Sequence, residues 1–393
     1  MGPMSSIDPR IAALKDEVAS WRRDIHAHPE ILYEVHRTAA LVAEKLKSFG
    51  VDEVVTGIGK TGVVGVIKGR KTASGKVVAL RADMDALPMS EQTNLPYASK
   101  VANMMHACGH DGHTAMLLGA AKHLAADRGF DGTVVVVFQP AEEGGAGGKA
   151  MVDDGLVSRF GIQEFYGLHC VPGVPVGHFM TRPGPLMAAT ANFVITIEGK
   201  GAHGAQPHQG IDPVLIGSHM VTALQSIASR NTDPLKSVVV SVTTFNAGDA
   251  FNVIPQTAVL RGTVRFLEKA VGQVTEERFR AIVANTAKAF GAEARLDFTY
   301  GYPATVNHQA ETEFAVAAAA TVAGAGGVIA NAPPVMGGED FSYMLEAKPG
   351  AFLFIGNGDT APLHNPAFDF NDEAIPAGIS YWTAVAQRAM PLR

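Results

Sequence analysis

The densest chemistry in the chain is the run His106-Ala107-Cys108-Gly109-His110-Asp111-Gly112-His113, where three imidazoles, a thiol and a carboxylate fall within eight residues. Such a mixture of donors suits a borderline-soft divalent ion. Each side chain taken singly also has a structural reading, and Asp111 or Thr114 is a candidate N-cap for the helix that follows. A second group is Val134-Val135-Val136-Val137-Phe138-Gln139-Pro140-Ala141-Glu142-Glu143, an apolar strand that ends in paired carboxylates. Adjacent side chains leaving a strand point in opposite directions, so one carboxylate can ligate a metal while its neighbour faces a bound water. Histidines also occur in Tyr166-Gly167-Leu168-His169-Cys170 and in Pro362-Leu363-His364-Asn365-Pro366. Asp83 and Asp85, finishing Leu80-Arg81-Ala82-Asp83-Met84-Asp85, are placed either to orient ligating imidazoles or to balance loop charge.

These groups need elements that deliver them to one edge. Residues 63–67, 77–80, 134–138 and 165–169 are short, β-branched or apolar runs separated by turns, and 112–126 reads as a helix. Strands alternating with helices predict an α/β domain with a largely parallel sheet, whose ligands lie beyond the carboxyl ends of its strands. Ahead of them, 11–49 carries helical spacing that Gly50 closes. The pattern changes after Thr181-Arg182-Pro183-Gly184-Pro185. Strand 191–198, helix 212–230, strands 237–247 and 256–266, helix 273–290 and strand 294–300 then follow in the βαββαβ order of a ferredoxin-like fold. Helix 311–323 and strand 351–355 resume the first pattern. The expected architecture is α/β: a three-layer domain of residues 1–186 and 304–393 with a largely parallel mixed sheet, interrupted by a satellite domain of residues 187–303.

The 393 residues are 47% hydrophobic and 18% charged, which excludes a disordered chain. Net charge is −6 without any Lys/Arg block, so nucleic acid is excluded as a partner. The two cysteines, Cys108 and Cys170, cannot build a disulfide framework, and each lies near a histidine. That points to metal chemistry in a reducing, cytoplasmic compartment. No export signal or membrane span is expected, because the most apolar long stretch, 314–335, is diluted by Gly324, Gly326 and Gly327. Met1-Gly2 with Ser6 fits a loose myristoylation pattern, but Met4 reads as the natural start behind an added leader. Gly57-Ile58-Gly59-Lys60-Thr61-Gly62 imitates a nucleotide loop. A strand rather than a helix follows it, and Val54 stands where a Walker loop needs glycine, so it reads as a hairpin turn. Neither G-x-S-x-G nor H-E-x-x-H occurs.

Taken together and in order, residues 81–88, 105–113, 139–145, 167–169, 199–207, 337–341 and 363–365 resemble the motifs of the M20 metallopeptidase family. The likeness is to its amidohydrolase branch of hippurate hydrolases, N-acyl-amino-acid amidohydrolases and auxin-conjugate hydrolases. The resemblance implies a two-metal catalytic domain interrupted by a satellite domain that often dimerises, hence a homodimer or homotetramer. It implies Cys108, as a thiolate bridging the ions, with His110, Glu143, His169 and His364 as metal ligands, and Glu142 as general base. The wider family has His-x-Asp where this chain has Asp83-Met84-Asp85, and the Cys108/His110 pair replaces the missing histidine. His203, within Gly199-Lys200-Gly201-Ala202-His203-Gly204, is implied to steady the tetrahedral oxyanion, often in the partner subunit's site. Asn252 and Arg265 are candidate grips for a substrate carboxylate, with a strand-surface salt bridge as the alternative for Arg265. His26, His28, Glu30 and His36 match the branch's pattern around His-Pro-Glu and are expected to fix an N-terminal helix against the sheet. Cys170 is expected to pack, and 337–340 to shape a pocket floor.

Two divalent ions roughly 3.5–4 Å apart hold a shared water, lower its pKa toward neutrality and polarise an amide carbonyl. Glu142 would take the water's proton and deliver it to the leaving amine. The expected activity is hydrolysis of the amide bond of N-acyl or N-aroyl amino acids such as hippurate or N-acetyl amino acids. A dipeptidase or carboxypeptidase using the same site, or a non-catalytic ligand-binding homologue, are the alternatives. Thiolate and imidazole donors admit Zn, Mn, Co or Ni.

Overall fold

The computed structural model describes residues 7–392; the myristoylation pattern and the start at Met4 lie outside the described residues. Two compact units divide the chain. The first holds the described residues up to Leu186, Val306–Pro333 and those from Asp340 on; the second holds Met187–Thr305 and Pro334–Glu339. Pro334–Glu339 joins the second unit through Ala188 N–H donating to Gly337 O (2.9 Å) and a bridge between Met187 and Val335. In chain order the first unit supplies α1 (Lys15–Ala27), α2 (His36–Ser48), β1 (Glu53–Ile58), β2 (Gly62–Lys68), β3 (Val77–Asp83), α3 (His110–Asp127), β4 (Thr133–Gln139) and β5 (Glu164–Val171). The second supplies β6 (Ala189–Glu198), α4 (Pro213–Ser226), β7 (Val238–Ala247), β8 (Thr257–Phe266), α5 (Lys269–Ala289) and β9 (Glu293–Tyr300). The chain then returns with α6 (Gln309–Ala323), β10 (Gly350–Gly356) and α7 (Ile375–Ala389).

The helical spacing read over 11–49 is interrupted. Pro29 disfavours helical backbone at His28 (φ −130°), where α1 ends. Glu30 then accepts from the N–H groups of Arg37 (2.9 Å) and Thr38 (2.8 Å), which open α2. Gly50 closes α2 with φ +72°.

The strands of the first unit make a mixed sheet. At its centre β4, β3, β5 and β10 run parallel. On one side β2 and β1 add antiparallel across the 57–62 turn; on the other lie two short strands, Phe179–Met180 and Val328–Ile329. A Cβ at Gly65 would meet Leu46 of α2, whereas one at Gly62 would meet Met151 of the helix Gly147–Asp153. Positions three apart on a strand face opposite ways, so helices cover both faces of this sheet. That is why β4 is an unbroken apolar run rather than an alternating one. All but three of the 18 residues of α3 are buried, so it is no amphipathic surface helix. It packs between the sheet and the helices α1 and α7, which approach Gly119 through Val18 and Ile379.

The second unit is a four-stranded antiparallel sheet in the order β7-β8-β6-β9. Its connectivity is the βαββαβ ferredoxin-like pattern. Along β6 the residues Ala189, Ala191, Phe193, Ile195 and Ile197 are buried and their neighbours are not, which gives the sheet one apolar face. Ile216, Met220 and Leu224 of α4 and Phe279 and Val283 of α5 cover it.

Candidate metal centre

The first-unit residues singled out for chemistry lie at or just past the carboxyl-terminal ends of β3, β4 and β5, at the start of α3 and, for His364, in the loop between β10 and α7. The N-cap of α3 is Gly109, with φ +89°. A Cβ there would fall 2.3 Å from Cys170 Sγ, so only glycine lets the chain turn from Cys108 into His110 this close to β5. Asp111 and Thr114 do not cap the helix. Asp111 has buried cationic partners in His26 and Arg22, and Thr114 Oγ1 donates to Asp83 O (2.7 Å). At the end of β4, Ala141 takes φ +56° and Gly144 N–H closes a tight turn on Glu142 O (2.7 Å), which turns the two carboxylates out of the strand line.

Five sequence-expected side chains meet here. Donor atoms of Cys108, His110 and Glu143 lie within 4.8 Å of one another, as do those of Asp83, His110, His113 and His169. Cys108 Sγ is 3.4 Å from His169 Nε2, and Glu143 Oε1 is 3.3 Å from His364 Nε2 and 3.9 Å from His110 Nε2. His110 Nδ1 donates to Asp85 O (2.8 Å) and His169 Nδ1 to Cys170 O (2.7 Å). Each ring therefore turns its Nε2 into the cluster, the arrangement in which a carbonyl fixes the tautomer of a ligating imidazole. The buried atoms His110 Nε2 and Glu143 Oε1 make no hydrogen bond. A thiol, imidazoles and a carboxylate with unsatisfied inward atoms fit a divalent cation.

Electrostatics agree with that fit. Burial pushes the Cys108 thiol well above its ordinary value, and the Glu143 and Glu142 charges add to the effect. Burial and the neighbouring His113 hold His169 well below its ordinary value, which keeps its Nε2 lone pair free. His110 goes the other way: burial alone would lower it, but Asp83, Asp85 and Glu143 raise it to about 10. This carboxylate-rich pocket demands positive charge, which a divalent ion supplies.

The other members of the first motif do different work. His113 spends both nitrogens, Nδ1 on Asp83 Oδ1 (2.7 Å) and Nε2 on the N–H of Cys170 (2.8 Å), and so straps α3 to β3 and β5. His106 is buried with neither nitrogen hydrogen-bonded. Asp85 accepts the N–H groups of Glu142 (2.9 Å) and Glu143 (3.0 Å) and thereby sets both carboxylates.

Residues 79–388 match the model of peptidase family M20/M25/M40. The chain belongs to this family. It is 43% identical over 378 residues to the hippurate hydrolase of Campylobacter jejuni, covering 96% of this chain and 98% of that protein. It is 39% identical over 378 residues to thermostable carboxypeptidase 1 of Saccharolobus solfataricus, covering 94% of each. Among solved structures it is similar to the YXEP protein of Bacillus subtilis, a dinuclear metal binding peptidase from M20 family, with TM-score 0.84 and 36% identity over 96% of this chain and 99% of that one. Among the described residues of the M20 chain, no helix is long and apolar enough to cross a membrane.

A polar network beneath the centre of the M20 chain was not foreseen. Fully buried Arg81 donates through Nε to Gln139 (2.8 Å), through Nη1 to Asp83 (2.9 Å) and through Nη2 to Asp340 (3.1 Å). Asp340 also accepts from Gln139 Nε2 (2.7 Å) and Gly148 N–H (2.7 Å), and burial pushes it up to about 6. The signal in the sequence is an arginine inside an apolar strand. The His-Pro-Glu segment also differs from expectation. His26 contacts Asp111 and Glu91 rather than the sheet, Glu30 caps α2, and His28 and His36 pair with Asp24 and Glu34 at the surface.

In the second unit of the M20 chain, His203 and Asn252 lie at a small two-stranded antiparallel ribbon. Its two-residue strands Ala202–His203 and Val253–Ile254 pair, and Gly204 N–H donates to Asn252 O (2.7 Å). Both side chains are exposed. Arg265 is not beside them. It pairs with Thr190 at the opposite end of β8 from Thr257, about 26 Å away at ~3.3 Å per residue, and is half-buried against Val264 O (3.0 Å).

Proposed function

We propose that this M20 chain hydrolyses the amide bond of N-acyl or N-aroyl amino acids, hippurate and N-acetyl amino acids among them. Two divalent ions (Zn, Mn, Co or Ni) would be held by Cys108, His110, Glu143, His169 and His364. The observation that carries this reading is the pair of imidazoles, His110 and His169, each anchored through Nδ1 to a backbone carbonyl with Nε2 beside Cys108 or Glu143. When bound, such ions supply Lewis-acid polarisation of an amide carbonyl and acidify a nearby water.

The chain's own groups do the rest. Glu142, fixed through its N–H on Asp85, takes a proton from the attacking water and passes it to the departing nitrogen. His203 donates to the developing oxyanion, and Asn252 and Arg265 bind the substrate's carboxylate. His203 and Asn252 lie too far from Arg265 in one second unit to serve one amino-acid-sized substrate. A homodimer or homotetramer, in which two copies contribute different ends, supports all three roles. The edge strand β7 and the exposed apolar residues Leu215, Val239 and Phe245 favour such an assembly. Two free cysteines, one of them a candidate ligand, fit a cytoplasmic setting.

Similarity to the thermostable carboxypeptidase favours peptide cleavage as a second reading. The test is amine release from hippurate, N-acetyl amino acids and plain dipeptides by metal-stripped protein, with and without added Mn or Zn. Metal-restored cleavage of the N-acyl substrates, lost by about 100-fold or more in Glu142→Gln, is expected. Preference for dipeptides would favour the second reading, and full activity of Glu142→Gln would refute the mechanism.

A further inference from the structure

Of the five candidate ligands, His364 is the hardest to place. It stands in the loop between β10 and α7 with φ +61°, a left-handed backbone that a histidine keeps only when its surroundings impose it. Its own N–H donates to Ala107 O (2.7 Å), next to Cys108. On its C-terminal side, Asp369 forms an ion pair with Arg22 of α1 and accepts from Tyr97 Oη (2.8 Å), while Phe370 O accepts from Arg22 Nη2 (2.9 Å). The Nε of the same guanidinium lies 3.0 Å from Asp111 Oδ2, one residue after His110. The rings of Tyr97 and Phe370 flank it, with centroids 5.0 Å and 5.7 Å from Cζ, and the side chain is 0% exposed. Nη2 thus donates to the Asp369–Phe370 segment while Nε, without a hydrogen bond, faces Asp111 as a charge, so one buried guanidinium ties both segments.

We infer that Arg22 is a positioning residue of the metal centre. By joining Asp111 to Asp369 it sets His364 against the His110 segment, and the affinity for the ion on the His364 side depends on that link. This rests on the proposed reading of His364 as a ligand. The link is separable from the fold, because Asn357 Nδ2 holds the backbone carbonyl of Asp369 (3.0 Å) whatever its side chain, and α1 keeps its own core contacts through Val18 and Ile25.

The experiment is a titration of metal-stripped full chain with Co(II) alone, following the cobalt d–d bands and the thiolate-to-cobalt charge-transfer band, with calorimetry for stoichiometry. In Asp369→Asn the first ion should bind as in the natural chain and the second at least about tenfold more weakly, at a temperature where both metal-stripped chains are folded. Asp369→Glu should recover part of the loss. Tyr97→Phe, which removes the hydroxyl that donates to Asp369 and leaves the Arg22–Asp369 ion pair, should shift the second ion in the same direction by less. Two ions binding with natural affinity in Asp369→Asn and Tyr97→Phe would overturn the inference and leave the proposed function standing. Equal weakening of both ions would do the same. A natural chain that takes up fewer than two ions would overturn the proposed function, and this inference with it.

Discussion

His26 faces a carboxylate at each ring nitrogen, Asp111 Oδ2 at 2.8 Å from Nδ1 and Glu91 Oε1 at 3.2 Å from Nε2. Only the imidazolium can donate to both. Burial, the largest influence, opposes the charge, but Asp111 and Glu91 outweigh it and raise His26 to about 9. A raised value in the folded state means that the stabilisation is fully present below the ordinary value of 6.5 and is lost as pH rises through about 9. At 1.36 kcal/mol for each factor of ten in proton affinity, the interval is worth about 3 kcal/mol. The assay is urea unfolding with chelator present, near about pH 6 and about pH 9.5, for the natural chain and for His26→Gln, whose amide does not titrate. Between the two conditions the natural chain should lose about 3 kcal/mol more than the variant, since groups common to both cancel. Losses that agree within about 0.5 kcal/mol would refute the charged imidazolium.

Gly109→Ala combines a left-handed backbone with a Cβ against Cys170 Sγ, and should cost about 1–3 kcal/mol in thermal unfolding and reduce metal content on elemental analysis. His113→Ala frees the Cys170 N–H and one oxygen of Asp83, and equilibrium dialysis should show metal affinity down by about 10–100-fold. His113→Gln, which can both accept and donate, should keep most of that affinity. Phe279→Ala removes a buried ring packed on Phe193 and Phe298, and calorimetry should show the second unit destabilised by about 3–5 kcal/mol with metal stoichiometry unchanged.

What the sequence disclosed depended on how local the cause was. The valines of β4 announce a strand covered on both faces, and the strict alternation along β6 announces one covered on a single face, because burial there follows from neighbours in the chain. Cys108, His110, Glu143, His169 and His364 were legible as a set through family resemblance, and the structure brings them together. The break at Pro29 was hidden by apolar spacing that continues on either side of it. The capping alternative for Asp111 fails because its partners, Arg22 and His26, come from a distant helix. The Arg81–Gln139–Asp340 network joins residues far apart in the chain, and no local pattern pairs them. Arg265 is separated from the Asn252 segment by the length of β8, which motif matching does not report.

The strand that completes the sheet beside His169 is β10, yet it follows the whole second unit in the chain. During synthesis β1 to β5 therefore emerge with Cys108, His110, Glu142, Glu143 and His169 already made, while the β5 edge has no partner. Between His169 and His364 the ribosome needs roughly 10–40 s, at about 5–20 residues per second. For that time the nascent polypeptide presents an apolar open edge beside an incomplete set of candidate ligands. Under the proposed assignment of His364, completion of the metal site and closure of that edge fall together at the end of translation. Rare codons placed within the second unit would prolong the exposure, and a short turn spliced in place of Met187–Thr305 would shorten it by more than half.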